Sequence, residues 1–340
     1  MTAGTPFSPD LLKLDCAAEV DRISGGIRTA LARTLRRRGL VVGISGGIDS
    51  SVTAALCVRA VGADRVIGLQ MPERHSAEDT IGLSGLVAGS LRIRTVAIDI
   101  SPILEAVGYY DKYDDAVRAV LPGYGPGWRS KIVVSETVED KAYTFFSIVA
   151  ASPEGREVRQ RLDLGAYLAI VASTNFKQRI RKMFEYYYAD LNNFAVAGTP
   201  NRLEYDQGFF VKQGDGAADI KPIAHLYKTQ VYELARFLGL PEALIKRPPT
   251  TDTYSLPQGQ DEFFFAAPYA VLDLCLYGKN HGYSPEEVAP AAGLPPGRVR
   301  AIYQDVERKR AATRYLHLSP VLVAPVPEIE GPPNAADEDG

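Results

Sequence analysis

The stretch LVVGISGGIDSSVTAALCVRAVG (40–62) constrains the fold of this chain more than any other. LVVGI is a short apolar, β-branched run, the composition of a strand buried on both faces. The adjacent glycines of SGG (45–47) enforce a turn. Beyond them Val52, Ala55, Leu56 and Arg59 recur at helical spacing until Gly62. The same rhythm continues downstream. RVIGLQM (65–71) predicts a strand, and HSAEDTIGLSGLVAGSL (75–91) a helix with Ile81 and Leu86 inward. RIRTVAIDI (92–100) predicts another strand, and SPILEAV (101–107) a helix with Ser101 as N-cap and Pro102 at its first position. Strands alternating with helices at this pitch mean βαβ units, so the expected fold is α/β, a doubly wound parallel sheet.

Upstream, Ile27, Leu31 and Leu35 mark a helix closed by Arg36, Arg37 and Arg38, with Gly39 as its stop and the Arg triplet as a solvated end. Residues 108–155 break the rhythm with Tyr109, Tyr110, Tyr113, LPGYGPGW, Phe145 and Phe146, and read as an insertion or lid. A long helical segment (about 157–191), a strand (192–199) and a helix (227–240) resume it. The C-terminal region is helical over 268–277, 284–291 and 296–313. The expected organisation is an N-terminal extension (1–26), one large domain (27–323) and a disordered Pro-rich acidic tail (324–340).

Composition narrows the function classes. With 38 Lys plus Arg against 41 Asp plus Glu, the net charge of −3 speaks against gripping nucleic acid. The three cysteines Cys16, Cys57 and Cys275 are dispersed, which fits a reducing cytoplasm and no disulfide scaffold or zinc ribbon. No signal pattern opens the chain, and no apolar run approaches the ~18 residues of a membrane span. The expectation is a soluble cytoplasmic protein, large enough to be an enzyme, with neither nucleic-acid nor membrane partner.

In open parallel sheets, ligands bind beyond the carboxyl ends of the strands. Three loops at that edge are polar and rich in glycine or proline: 45–51, 199–219 and 247–262. SGGIDSS (45–51) has glycines that turn backbone N–H groups toward an anion, hydroxyls on Ser45, Ser50 and Ser51, and the start of a helix. Asp49 would repel that anion unless a cation intervened, and Mg²⁺ supplies the missing charge. Asp49 as a plain helix cap is the alternative, and one residue can do both. The loop is not of Walker type, because GxxxxGK[ST] is absent.

SGGIDSS after a strand resembles the PP-loop of ATP pyrophosphatases, which split ATP into AMP and pyrophosphate while adenylating an acceptor. AGTPNRLEYDQGFFVKQGDGAADIKPIAHLYKTQV (197–231) is similar to the signature of the NAD synthetase family, ammonia-dependent type. RPPTTD (247–252), GQDE (259–262) and TNFKQRIRKMFEYYY (174–188) resemble further segments of that family in the right order. The resemblance implies an adenine nucleotide alpha-hydrolase-like, Rossmann-like fold with a helical C-terminal region. It implies that Ser45, Gly46, Gly47, Asp49, Ser50 and Ser51 hold the ATP pyrophosphate moiety, and that Thr199, Thr250 and Lys228 also contact ATP. Asp49 and Glu204 would be the Mg²⁺ ligands, and Asp49 and Lys228 the catalytic pair. Arg179, Lys212 and Asp219 would hold deamido-NAD; Lys212 and Asp219 lie in a loop with Gly208, Gly214 and Gly216.

The implied chemistry is attack of a substrate carboxylate on the α-phosphorus of ATP, then attack of ammonia on the acyl-adenylate. Positioning and charge stabilisation would carry the rate. Ammonia would be free or come from a separate glutaminase, and the protein would be a homodimer with its acceptor site at the interface. The aromatic segments 109–128 and 143–146 are candidates for that interface or for the core. His225 and His317 read as structural, and His317 is followed by Leu318 where the family often carries a His-Lys pair. The alternative is an amide ligase adenylating a different carboxylate, in specialised metabolism or glycan modification. A tRNA-modifying PP-loop protein would need basic surface and a cysteine pair, and a non-catalytic nucleotide sensor would not need Asp49, Glu204 and Lys228.

Overall fold

The structure is a computed structural model that describes residues 6–76, 78–135, 145–247, 253–256 and 267–329, with the side chains of 78, 79, 135 and 145 excepted. Thr250, the GQDE segment and the tail beyond Ile329 lie outside the described residues. The strands are β1 (Leu40–Gly43), β2 (Val66–Gln70), β3 (Arg94–Ala97), β4 (Arg129–Ser135), β5 (Phe145–Ala151), β6 (Glu157–Arg161) and β7 (Ala195–Ala197). The helices are α1 (Cys16–Thr29), α2 (Ile48–Val61), α3 (Glu78–Leu91), α4 (Ser101–Ala106), α5 (Tyr109–Arg118), α6 (Leu164–Asn192), α7 (Arg202–Gln207), α8 (Lys228–Phe237) and α9 (Glu242–Lys246). The C-terminal region adds α10 (Tyr269–Asn280), α11 (Pro285–Ala292) and α12 (Pro296–Thr313).

β1 lies inside a four-stranded parallel sheet of order β3-β2-β1-β7, with Leu40 opposite both Val66 and Ala195. Because side chains alternate along a strand, β1 feeds two cores. Leu40 and Val42 pack with Ile27 of α1, Leu56 of α2 and Val231 of α8, whereas Val41 packs with Tyr109 of α5 and Ile170 of α6. Helices therefore cover both faces, the doubly wound arrangement that the alternation of elements predicts. Burial of each such aliphatic side chain contributes about 1.5–3 kcal/mol.

β1 connects through α2 to β2 on one side, while β7 joins on the other. The loops leaving β1 and β7 diverge at this reversal of strand order and open the crevice in which ligands of such sheets bind.

Several local expectations differ from the structure. The first helix begins at Cys16, where Asp15 accepts from the Ala18 N–H. Val20 and Ile23 pack in the same core as Ile27, so the helix runs across the expected boundary at 26/27. It ends in a π-helical turn (Ala30–Leu35) with Arg36 left-handed at φ 51°; Gly39 serves close approach, since a Cβ there would lie 2.4 Å from the Arg65 carbonyl oxygen. In α3 the inward residues are Ser84, Val87 and Ala88, while Ile81 and Leu86 are exposed. Both faces of that helix are apolar or small, which is why its orientation is ambiguous in sequence. Ser101 is the first helical residue of α4, not its cap; its N–H is bonded by Asp99.

The segment expected to be a helix from about 157 opens instead with β6, and α6 starts at Leu164, capped by Asp163. The inserted unit is built from α5 and an antiparallel sheet of order β4-β5-β6, extending to Arg161. Its Tyr109, Tyr110, Tyr113 and Tyr124 are buried beside α6, which assigns them to the core, not to an interface. Among the described residues, no helix is long and apolar enough to cross a membrane.

Candidate active site

A cavity of about 550 Å³ occupies the crevice, with Ser45, Gly46, Gly47, Asp49 and Ser50 on one wall. Gly46 has φ 71°, the left-handed backbone that swings this turn around. Ser45 and Ser50 hydroxyls lie 3.2 Å apart, and Ser50 Oγ donates to the Gly47 carbonyl at 3.0 Å. Ser51 does not line the cavity; fully buried, its hydroxyl donates to the Gly47 carbonyl at 2.8 Å and braces the turn from behind.

The charged centre joins three elements. Lys228, the first residue of α8, donates from Nζ to Asp49 Oδ2, and its side chain is only 1% exposed. Asn201 Nδ2 donates to Asp49 Oδ1 at 3.0 Å. Asn201 also caps α7: its Oδ1 accepts from the Glu204 N–H at 3.3 Å, and Glu204 Oε2 accepts from the Asn201 N–H at 3.1 Å. Asn201 thus fixes both carboxylates relative to each other. Burial, then the adjacent Asp49 carboxylate, pushes the Glu204 carboxyl up to about 8, with Lys228 pulling it back. Burial works against the Lys228 ammonium, but Asp49 and Glu204 outweigh it and raise its pKa. Two acidic groups around one ammonium form a site that favours additional positive charge.

Asp273 of α10 anchors the lysine from below. Fully buried, it accepts from the N–H of Lys228 at 3.3 Å and of Thr229 at 2.7 Å, which sets the first turn of α8. Neither Asn201 nor Asp273 is among the residues expected from sequence. The Asn-x-x-Glu spacing after β7 is a capping-box signal that marks Asn201, whereas Asp273 sits among apolar helix residues 44 positions beyond Thr229 and carries no such signal.

Thr199, Glu204, Lys228, Arg179 and Lys212 all line the cavity. Arg179 is exposed, and its Nε donates to the Lys212 carbonyl at 3.4 Å. Lys212 Nζ donates to the carbonyls of Tyr315 at 2.7 Å and Leu318 at 3.3 Å, so a lysine reaches the turn after α12 although none follows His317. Asp219 lies outside the lining; its Oδ2 accepts from the Val196 N–H at 2.8 Å and braces β7. His225 Nε2 lies 2.6 Å from Glu19 Oε1 of α1 and 2.6 Å from an Arg22 guanidinium nitrogen. Thr250 lies outside the described residues.

Among the described residues, no three His, Cys, Asp or Glu side chains converge on one cation. Asp49 and Glu204 fit Mg²⁺ in another way, because that ion is commonly held by one or two carboxylates with the remaining positions filled by phosphate oxygens and water.

The family model described as NAD synthase matches residues 19–122 and 134–314. The NH(3)-dependent NAD(+) synthetase of Rhizobium meliloti (strain 1021) is 57% identical over 324 residues, 95% of this chain and 97% of that relative. The NH(3)-dependent NAD(+) synthetase of Methanocaldococcus jannaschii is 33% identical over 311 residues, 91% of this chain and 96% of the relative. Among solved structures, an NH3-dependent NAD synthetase from Campylobacter jejuni in complex with the nitrate ion aligns at TM-score 0.60 and 22% identity, over 92% of this chain and all 100% of that one. An NMN synthetase from Francisella tularensis aligns at TM-score 0.62 and 21% identity, over 91% of this chain and 100% of that one. At these identities the two structures are alike in fold.

Proposed function

This chain belongs to the NAD synthase family, and from that premise we propose that it joins ammonia to deamido-NAD at the expense of ATP, giving NAD, AMP and pyrophosphate. The observation that carries the reading is the Asp49–Lys228–Glu204 centre beside the glycine turn, tied together by Asn201. One deeply held cation and two carboxylates beyond the carboxyl end of β1 support a phosphate-binding role for this centre.

In the first step the substrate carboxylate attacks the α-phosphorus and the bond to pyrophosphate breaks. Negative charge builds on the leaving oxygens, and the Lys228 ammonium, held by Asp49, offsets it. Backbone groups of 45–47 and the Ser45 and Ser50 hydroxyls cradle the leaving group. Asp49 and Glu204 would hold Mg²⁺, which when bound supplies further charge neutralisation for the phosphates. In the second step ammonia attacks the acyl carbon and AMP leaves. Arg179 and Lys212, which also line the cavity, suit the phosphates of a dinucleotide acceptor. Asp219 would serve that acceptor only indirectly, through β7. Thr199 and Thr250 are assigned to ATP, and free ammonia or a separate glutaminase is the nitrogen source.

Relatives at 51–57% identity are named NH(3)-dependent NAD(+) synthetase, which favours deamido-NAD over another carboxylate. The test follows pyrophosphate and NAD in a mixture of protein, ATP, Mg²⁺ and ammonium, with and without deamido-NAD. NAD and pyrophosphate in equal amounts, both dependent on deamido-NAD, are expected; pyrophosphate without NAD would overturn the assignment of the acceptor.

A homodimer is part of the same reading. Met183, Tyr187 and Leu191, each over half exposed, recur every four residues along α6 and offer an apolar contact stripe. Sedimentation should give a mass near twice the 37.0 kDa chain, and a purely monomeric protein would refute this. A cytoplasmic location suits three cysteines that are all free.

A further inference from the structure

The inserted unit reaches the cavity directly through Phe146 of β5 and indirectly through four consecutive residues, Thr253–Leu256, that it contacts. Thr253 and Tyr254 line the cavity, and Tyr254 is buried in the core beneath it. From one side, Lys177 of α6 donates to the Thr253 carbonyl at 3.0 Å and to Glu73 Oε1 at 2.6 Å. The side chains of this ion pair are 1% and 0% exposed, and Glu73 Oε2 accepts from the Tyr110 hydroxyl of α5 at 3.0 Å. From the other side comes β4, an edge strand whose outward N–H and C=O groups need partners. The Ser130 N–H donates to Ser255 Oγ at 2.8 Å, and the Ser130 carbonyl accepts from the Leu256 N–H at 3.2 Å. The Ser130 hydroxyl is itself fully buried between the hydroxyls of Tyr113 at 2.8 Å and Tyr124 at 3.1 Å.

A buried ion pair is a poor source of net stability, because desolvation offsets its attraction. What this arrangement delivers is position. Contacts more than 70 residues apart in sequence converge on the main chain and on Ser255 of one short wall segment. Ser130 and Tyr124 lie within 123–133, between the two stretches that the NAD synthase model matches.

We propose that α5 and the β4–β6 sheet form a clamp on Thr253–Leu256, with Ser130 and Lys177 as positioning residues that set one wall of the nucleotide cavity. The proposal rests on that cavity being the ATP site. Ser255→Ala removes the hydroxyl that joins the segment to β4 and leaves every cavity-lining side chain in place. A combined Lys177→Met, Glu73→Gln variant removes both charges and avoids an unpaired buried carboxylate.

The experiment measures binding of a non-hydrolysable ATP analogue with Mg²⁺ by calorimetry, together with KM for ATP, kcat and the ligand-free thermal midpoint. Ser255 Oγ also donates to the Ser130 carbonyl at 3.4 Å, and loss of this hydroxyl should raise both Kd and KM about 5-fold in Ser255→Ala, with kcat unchanged and the thermal midpoint lowered by only a few degrees. Ser255→Thr, which keeps the hydroxyl, should restore both, and the charge-free pair combined with Ser255→Ala should weaken binding further. Wild-type binding with an unaltered Kd and KM in Ser255→Ala overturns the clamp alone. A wild-type protein that does not bind the analogue overturns the ATP reading and the clamp with it.

Discussion

Replacing Asp49 with asparagine should lower kcat/KM for ATP by about 10²–10³-fold, the range seen when one group stabilising transition-state charge is removed. Asparagine keeps the shape of the side chain and can still accept from Asn201, so the fold should persist. What disappears is the carboxylate that faces the Lys228 ammonium and that, with Glu204, would hold Mg²⁺. The loss should fall on the pyrophosphate-releasing step. Adenylate formed in a single turnover, with ammonia withheld, should slow as much as overall turnover. Far-ultraviolet circular dichroism should stay at wild type. An Asp49→Asn protein with wild-type pyrophosphate release would remove Asp49 from the mechanism.

Lys228→Met should damage both stability and activity, because the lysine is buried and faces two carboxylates. Breaking a buried pair by deleting one partner typically costs about 3–5 kcal/mol, since the other charge is left uncompensated. In a chain of this size that corresponds to a fall in thermal midpoint of about 4–7 °C. Asp49, left without its counter-charge, would repel the incoming phosphates, so kcat/KM for ATP should also fall by about 10²-fold or more. Arginine should not rescue, because its planar fork does not fit a space shaped for a compact ammonium. Lowering the pH should return part of the lost stability: burial and Asp49 already hold the Glu204 carboxyl high at about 8, and removing the cation raises it further. A raised folded-state pKa means that the protonated form is favoured on folding, so stability grows as the pH falls. Thermal melts of Lys228→Met between pH 8 and 6 measure this; a midpoint independent of pH over that window would contradict it.

Much of the centre was legible in the primary structure because its residues sit beside local signals. The glycine pair announced the turn holding Ser45, Asp49 and Ser50, and the loops carrying Glu204, Lys212 and Lys228 bear their own motif spacing. Errors arose where local pattern is degenerate. α3 has small or apolar residues all round, so Ile81 and Leu86 looked inward until packing chose Val87 and Ala88. The polar run before α6 reads as helix, and only pairing with β5 makes it β6. The tyrosines of α5 were open between interface and core, and the cover they provide over α6 settles the matter.

Residues whose role depends on contacts between distant segments had no comparable signal. Asp273 holds Lys228 across 45 positions, Asn201 reaches Asp49 across 152, and Ser130 meets Ser255 across 125. The α/β rhythm, the glycine turn after β1 and the family could be read from the chain order alone. Those follow from hydrophobic period, glycine backbone freedom and motif order, all of them properties of neighbouring residues. Only the folded chain shows which charges meet, that Ser51 and Asp219 brace the site from outside the cavity, and that the inserted sheet contributes to its wall. The reason is physical: a buried hydrogen bond or ion pair is defined by two groups in space, and chain order constrains the position of each only after the sheet has closed.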